Sequence, residues 1–407
     1  MSGLDVEGPL RLAAAEVAQA EWEQAAAAVL RRAKRIVDDP TEVWDTLTRR
    51  TVEGLPIPPL GTAERSVRQA LPVTLPDRAP AGWDVRSAVF GSDAGACAEA
   101  ALAELESGAT SLWLTVGGRG VAPAELAAAL RGVHLDMAPV EVSAGAGVTG
   151  PQAAAALAEV ISTAPDGVAL GTNLGADPVG RLARSGETPD AADVADQISD
   201  ILGLATDLGV RGFVADGTVA HGRGAGDAAE LAYTVAVGVQ YLRAFEAAGL
   251  DLDRSLRLLD LRLAATGEQF TTIAKFRAAR VLWSRIGQLS GAPSAVATIH
   301  AVTSLPMTTR HDPWVNLLRT TIAAFAAGVG GADAITVLPF DIRLGVPDSF
   351  GRRMARNISS LLVDESHVAV VADPAAGAYA VETLTHELAE AAWAGFQAIE
   401  RAGGVLG

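Results

Sequence analysis

The chain has 407 residues, of which 49% are hydrophobic and 20% charged, so it can bury a large core without disulfides or metals. A disordered tail and a disulfide-stapled mini-domain are excluded, and the single cysteine allows no disulfide within the chain. The net charge of -16 repels nucleic-acid phosphates and anionic membrane surfaces. With no secretion signal and no membrane-spanning apolar run in the sequence, we expect a cytoplasmic protein that binds neither nucleic acid nor membrane.

The first predicted element is a long alanine-rich helix over residues 10–37, which contains no proline or glycine. Proline-rich stretches follow at residues 54–59 and 71–80. Both are typical of an extended connector, because proline lacks the amide hydrogen that helices and sheets use. Residues 1–80 are therefore predicted to form a helical and proline-rich N-terminal extension.

From Trp83 onward, short apolar runs alternate with longer helical patterns. Strands are predicted at residues 83–90, 111–116, 140–142, 167–170, 212–215, 261–265, 295–303, 334–339 and 368–372. Helices are predicted at residues 94–106, 122–130, 151–161, 191–208, 227–248, 270–288, 314–327, 349–361 and 380–402. About eight successive β-then-α units favour a closed (β/α)8 TIM barrel over residues 81–407, with an open doubly wound sheet as the alternative.

Three glycine-rich segments lie where predicted strands pass into helices. Residues 145–150 match the GxGxxG dinucleotide pattern, but such matches arise easily among 42 glycines, and a flexible loop is favoured. Residues 117–120 and 222–226 fall on the face of a barrel that carries active sites, so they can admit an anionic ligand. A mobile turn is the simpler interpretation, because neither segment ends in the Gly-Lys-Ser/Thr of a phosphate-binding loop.

His221 and His300 are the candidate acid–base residues, because each falls at or just beyond the end of a predicted strand. A structural role fits either position as well. The helical pair His386 and Glu387 is followed by Glu390 where a zinc protease has its second histidine, so no metal site is predicted. No Gly-x-Ser-x-Gly nucleophile motif is present.

A specific pattern lies at residues 299–320, which read IHAVTSLPMTTRHDPWVNLLRT, and continues at residues 330–341, which read GGADAITVLPFD. It resembles the adenosylcobalamin-dependent acyl-CoA mutases, and most closely the small (β) subunit of methylmalonyl-CoA mutase. Shorter similarities make the resemblance cover nearly the whole chain, at residues 54–60, 82–86, 108–114, 355–357 and 371–374.

The resemblance implies a (β/α)8 barrel in a complex that interconverts (R)-methylmalonyl-CoA and succinyl-CoA by a radical rearrangement. In the catalytic large subunit of this family, acyl-CoA threads along the barrel axis and a C-terminal domain presents adenosylcobalamin over the barrel mouth. The cobalt-binding motif of that domain is Asp-x-His-x-x-Gly, and here Asp364 is followed by His367, one residue too late. We therefore expect no cobalamin-binding domain on this chain and expect the cofactor to be bound by a partner subunit.

The resemblance also indicates which catalytic positions have changed. The family tyrosine near the first strand aligns with Arg78, and the Tyr-His pair after the fifth strand aligns with Thr218 and Val219. His221 lies two residues beyond that pair, an offset of roughly 6–7 Å in an extended loop.

In the block at residues 299–304, the family histidine is kept as His300, while the arginine and glutamine positions hold Thr298 and Val302. Loss of these groups on a retained scaffold is typical of a non-catalytic paralogue. The resemblance therefore implies a non-catalytic small subunit, in a heterodimer with a homologous large subunit that binds acyl-CoA and adenosylcobalamin.

Two alternatives remain open. The chain can be the catalytic barrel of a split acyl-CoA mutase that uses a separate cobalamin-binding chain, with His221, His300 and Arg78 as its catalytic candidates. It can also be a barrel that binds a small ligand at its glycine-rich loops. A lumen packed with bulky side chains leaves no path for a pantetheine arm, whereas a channel lined by small residues favours catalysis.

Overall fold

The computed structural model describes residues 19–35, 37–65, 73, 82–187 and 190–407. These residues form two compact units, which divide between Leu60 and Gly61. Residues 10–18 of the first predicted helix and the candidate residue Arg78 lie outside the described residues.

The N-terminal unit contains two helices, α1 (Gln19–Arg32) and α2 (Val43–Leu47), followed by a short antiparallel pair of strands, β1 (Arg49–Arg50) and β2 (Pro56–Ile57). Helix α1 ends earlier than predicted, and Lys34 just beyond it has a left-handed backbone with φ 60°.

The core of this unit is small and is organised by one tryptophan. Trp44 is buried with Ala27 and Leu30, and its ring centroid lies 4.7 Å from that of Trp22. Its indole N–H donates to the Glu23 carboxylate at 2.7 Å, which satisfies the polar end of a buried ring.

Eight parallel strands close into a barrel in the second unit. Their order around the barrel follows the chain, and the last strand pairs with both its predecessor and the first. The predicted (β/α)8 TIM barrel is therefore confirmed. The strands are β3 (Asp84–Val89), β4 (Ser111–Val116), β5 (Val140–Ala144), β6 (Asn173–Ala176), β7 (Arg211–Asp216), β8 (Leu259–Ala265), β9 (Thr298–Thr303) and β10 (Ala334–Thr336).

Helices cover the outside of this barrel, and several begin at an aspartate or threonine whose side chain accepts a hydrogen bond from the first turn. No helix among the described residues combines the length and apolar composition needed to cross a bilayer. The helices are α3 (Ala94–Glu106), α4 (Leu126–Ala129), α5 (Gly150–Ser162), α6 (Pro178–Ser185), α7 (Ala191–Leu208), α8 (Thr218–Gly222), α9 (Asp227–Ala247), α10 (Leu252–Arg257), α11 (Gln269–Ser290), α12 (Val315–Val329), α13 (Ser349–Ser360) and α14 (Tyr379–Arg401).

Two of the predicted strands are wrong. Residues 167–170 form a turn bounded by Gly167 and Gly171, both with positive φ, and the fourth barrel strand is β6 a few residues later. Residues 368–372 form turns in which Val370 is 74% exposed. Because eight strands already close the barrel, it has no free edge to pair with a ninth strand.

The GxGxxG segment at residues 145–150 is a loop between β5 and α5, as favoured from the sequence. It packs against the turn at residues 117–120, where a Cβ on Gly145 would clash with the backbone oxygen of Gly117. Glycine is required at this position because the two loop backbones approach each other closely, which explains Gly145 without a dinucleotide.

Candidate functional site

The centre of the barrel is occupied by a buried cluster of charged side chains, here called the lumen cluster: Arg86 on β3, Glu141 on β5 and Arg262 on β8. One carboxylate oxygen of Glu141 pairs with Arg86, and the other pairs with Arg262. The three side chains are 5%, 1% and 3% exposed. Burial and the nearby Arg86 charge lower the pKa of Arg262 to about 9, so it keeps its proton at neutral pH.

His300 on β9 belongs to the same layer of the barrel. Its Nδ1 accepts a hydrogen bond from Arg262 at 3.2 Å, and its Nε2 bonds to the Thr336 hydroxyl at 2.8 Å. Trp113 lies edge-on to the imidazole, and the Arg262 guanidinium lies 4.5 Å from the Trp113 ring centroid. Burial and the charges of Arg86 and Arg262 hold the pKa of His300 well below its ordinary value, so the imidazole is neutral.

A second layer closes the barrel axis towards the N-terminal ends of the strands. Asp260 of β8 accepts from the Asn173 amide at 3.0 Å and from Arg211 at 2.9 Å. Asp260 and Asn173 are 1% and 0% exposed. Buried charged and polar side chains of both layers therefore contact one another across the interior of the barrel.

Above the lumen cluster, a cavity of about 170 Å³ remains at the C-terminal mouth of the barrel. Arg184 lies between two carboxylates there, 3.6 Å from Asp177 and 3.3 Å from Asp216. Asp216 also accepts from Arg262 at 3.2 Å. Burial raises the pKa of Asp177 to about 6, and the nearby Arg184 charge opposes the rise. The lining comprises Trp113, Thr115, Ser143, Ala144, Gly150, Gly175, Asp177, Arg181, Arg184, Asp216 and Arg262.

His221 lies in α8, beyond the end of β7, in a different hydrogen-bond network. Its Nε2 is 2.7 Å from the Ser304 hydroxyl, and its Nδ1 is 3.7 Å from the Glu230 carboxylate. This is the order of a Ser-His-acid triad, but Ser304 is only 2% exposed and its hydroxyl already accepts from the Met307 amide at 3.2 Å. The network therefore joins the loops after β7 and β9 rather than presenting a nucleophile.

Glu230, the acidic residue of that network, forms a buried ion pair with a lysine. Glu230 lies 2.9 Å from Lys275 and accepts from the Ala264 amide. Burial opposes the Lys275 charge, but Asp227 and Glu230 together raise its pKa above the ordinary value. Burial and the Lys275 charge lower the pKa of His221 to about 4, so this imidazole is neutral at physiological pH.

None of the predicted site residues belongs to the lumen cluster, although the sequence contains a signal for it. Each member is a charged residue between apolar or small neighbours of a strand, and in β3 and β8 a second charged residue, Asp84 or Asp260, lies two positions earlier on the same face. With a side-chain period of two, such a residue points into the barrel when its neighbours face the helices. Which charges meet across the barrel depends on the register of strands that are distant in sequence.

The described residues do not fit adenosylcobalamin. Asp364 and His367, the nearest approach to the cobalt-binding motif, lie in an exposed segment after α13, where His367 has a left-handed backbone with φ 52°. His300 and His221 have their ring nitrogens engaged inside the barrel. No group of three or more histidine, cysteine or acidic residues that could hold a metal ion lies among the described residues.

The sequence profile of the methylmalonyl-CoA mutase family matches residues 100–407. The chain belongs to the methylmalonyl-CoA mutase family. It is 44% identical over 395 residues to the methylmalonyl-CoA mutase small subunit of Streptomyces virginiae, an alignment covering 94% of this chain and 64% of that protein. It is 37% identical over 404 residues to the small subunit of Propionibacterium freudenreichii subsp. shermanii, covering 95% of this chain and 62% of that protein.

Some relatives match over a shorter part of the chain. The methylmalonyl-CoA mutase of Escherichia coli (strain K12) is 37% identical over 185 residues, covering 45% of this chain and 26% of that protein. The resemblance to the small subunits of this family, stated from the sequence motifs, is therefore confirmed. The chain spans 64% and 62% of the length of the two small subunits.

Proposed function

We propose that this chain is the non-catalytic small subunit of a methylmalonyl-CoA mutase. In this proposal a homologous large subunit binds acyl-CoA and adenosylcobalamin, and the heterodimer interconverts (R)-methylmalonyl-CoA and succinyl-CoA. The observation that carries the proposal is the lumen cluster, because Arg86, Glu141 and Arg262 occupy the barrel axis. The small-subunit names of two relatives that align over most of this chain support the same role.

Opening the lumen for a substrate arm would be energetically costly. A ligand on the axis would separate Glu141 from Arg86 and Arg262, and the Glu141 charge would remain buried without an arginine partner. The two arginines would keep only their second partners, Asp84 and Asp216. Breaking a buried ion pair in this way costs about 3–5 kcal/mol. Binding energy spent on that separation is not available to stabilise a transition state.

The two histidine candidates are also poorly placed for acid–base chemistry. His300 is 1% exposed and both ring nitrogens have protein partners. His221 is held between Ser304 and Glu230. A general base must come within hydrogen-bond reach of its substrate, so each histidine would first have to break these contacts.

Co-expression tests the proposed partnership. This chain carries an affinity tag, and the large mutase subunit of the same organism is produced untagged. We expect a one-to-one complex by light scattering after size exclusion, with mutase activity in the complex and none in the tagged chain alone. Failure of the untagged large subunit to co-purify would contradict the proposal.

The catalytic alternative predicts a different pattern. A split catalytic barrel would bind acyl-CoA by itself and turn it over when mixed with a separate cobalamin-binding chain. Equilibrium dialysis of the isolated chain with methylmalonyl-CoA distinguishes the two, because saturable binding that is lost in His300→Gln would favour the catalytic barrel.

A further inference from the structure

A small cavity lies between the wall of the barrel and the helices that follow its first and last strands, α3 and α13. Its volume is about 10 Å³, which is about the smallest in which a protein holds one water-sized particle. Apolar side chains of β3 and β10, including Val85 and Ile335, form the side towards the barrel. Helices α3 and α13 contribute polar and charged side chains, so the cavity is distinct from the lumen cluster.

Three buried polar atoms around this cavity have no hydrogen-bond partner among the described residues. They are Nε of Arg352, Nε of Arg356 and the hydroxyl of Ser359, and all three residues line the cavity. Their spacing of i, i+4 and i+7 places them on one face of α13. Arg356 and Ser359 are 8% and 1% exposed. Because proteins rarely bury such groups without a partner, three of them around one cavity indicate a bound water or ion.

The charges around the cavity do not balance. Its described lining contains one carboxylate, Glu104 of α3, which accepts from Arg356 at 2.7 Å and from Ser87 at 3.1 Å. Arg352 lies farther away, with its Nε 3.8 Å from the other Glu104 oxygen. Arg86 also borders the cavity, but it pairs with the carboxylate of the lumen cluster. One carboxylate therefore faces two guanidinium groups, which leaves one positive charge in excess.

We propose that this cavity binds a chloride ion. Nε of Arg352, Nε of Arg356 and the Ser359 hydroxyl donate to the ion, and its charge balances the second arginine. A water molecule suits the site less well, because it has two hydrogens of its own to donate and brings no negative charge. Polyatomic anions such as phosphate and sulfate are too large for a cavity of this volume.

A bound chloride stabilises the folded protein by mass action. The site requires the packing of α13 on the barrel, so the ion binds the folded chain and not the unfolded one, and the stabilisation grows with chloride concentration. The cavity lies outside the mouth of the barrel and does not depend on the subunit role proposed above. It is therefore tested on this chain without a partner.

Thermal unfolding of the full chain tests the site, with chloride replacing gluconate from zero to about 0.5 M at constant ionic strength. We expect the Tm of the unmodified protein to rise with chloride. The rise should be lost in Arg352→Gln, which removes the excess charge and one donor. In Ser359→Ala, which removes the hydroxyl, the apparent Kd for chloride should increase about tenfold.

Each variant has a matched control at the next residue of α13. Arg353→Gln removes the same charge and Ser360→Ala the same hydroxyl, and neither residue is part of the described lining of the cavity. Both controls should keep the chloride dependence of the unmodified protein, and circular dichroism checks that all four variants are folded. An equal chloride dependence in Arg352→Gln and Arg353→Gln would overturn the proposal. So would a Tm of the unmodified protein that does not change with chloride.

Crystals of the chain soaked in sodium bromide locate the ion directly, because bromide replaces chloride and gives an anomalous signal. We expect an anomalous peak in the cavity, within hydrogen-bond distance of Nε of Arg356 and the Ser359 hydroxyl. Density for a water molecule without an anomalous peak would contradict the assignment to chloride.

Discussion

The centre of the barrel and the short helix α10 use arginine in opposite ways. In the lumen cluster, Arg86 and Arg262 are almost fully buried and both pair with Glu141. On α10, Arg254 and Arg257 are exposed and form no salt bridge with a described residue. The difference teaches that a buried arginine needs a carboxylate partner to be tolerated in the fold, whereas an exposed arginine is solvated and needs none.

The mouth of the barrel lies between these two extremes. Arg184 there is 43% exposed but pairs with two buried carboxylates, Asp177 and Asp216. The arginines of the lumen cluster also have carboxylate partners, but they are only 5% and 3% exposed.

The largest effect is expected from Glu141→Ala. The substitution leaves Arg86 and Arg262 buried without their shared partner, which should lower the free energy of unfolding by about 3–5 kcal/mol. Urea unfolding measures the change. The control Glu187→Ala removes an exposed carboxylate 2.9 Å from Arg181 and should cost less than about 1 kcal/mol. Equal losses in the two variants would show that the lumen cluster does not hold the barrel together.

A smaller effect is expected from Asp177→Asn at the mouth. Because the pKa of Asp177 rises to about 6 in the folded state, the folded protein binds more protons than the unfolded chain between about pH 4 and pH 6. The free energy of unfolding should therefore fall as pH rises through this window, by on the order of 3 kcal/mol.

The variant should lose the Asp177 contribution to this slope, since asparagine does not titrate. Asp216 and Glu230, whose pKa values are also raised by burial, should keep the remaining slope. Urea unfolding at a series of pH values between 4 and 7 measures the slope. The control Asp200→Asn, at an exposed position of α7, should keep the slope of the unmodified protein. A slope that is unchanged in Asp177→Asn would contradict the assignment.

The smallest change in the free energy of unfolding is expected from Arg257→Gln on α10. An exposed arginine without a salt bridge contributes little to folding, so the free energy of unfolding should change by less than about 0.5 kcal/mol. Its counterpart in the lumen, Arg262→Gln, should destabilise the protein by several-fold more, because Glu141 and Asp216 both lose a partner. Comparable losses would remove the distinction between the two regions.

The barrel could be predicted from the sequence because its rhythm of apolar strands and amphipathic helices is local. Strand β4 coincides with the predicted residues 111–116. Strand β6 was misplaced because it reads Asn-Leu-Gly-Ala, with an asparagine that points to Asp260 inside the barrel, while the more apolar residues 167–170 just before it form a turn. A prediction based on runs of apolar residues selects the wrong segment when a strand has a polar side chain that points into the barrel.

The candidate site was only partly predictable. His300 and His221 were recognised by their positions near strand ends, and the structure places them in two separate protein networks. Glu230 lies about 10 residues from His221 and contacts it because α8 packs on α9. The partners of His300, Arg262 and Thr336, lie 38 and 36 residues away in sequence and reach it through the pairing of the barrel strands. Pairing of this kind follows from strand register, which one sequence does not encode locally.

The most direct test of the account is the turnover of the reconstituted heterodimer with His300→Gln on this chain alone. Complex stoichiometry and thermal stability are measured on the same preparation, so that a loss of assembly is distinguished from a loss of chemistry. A non-catalytic subunit predicts a kcat for methylmalonyl-CoA within about twofold of the unmodified complex. A fall in kcat of about a hundredfold, in a complex of unchanged stoichiometry and stability, would contradict the account and assign catalysis to this barrel.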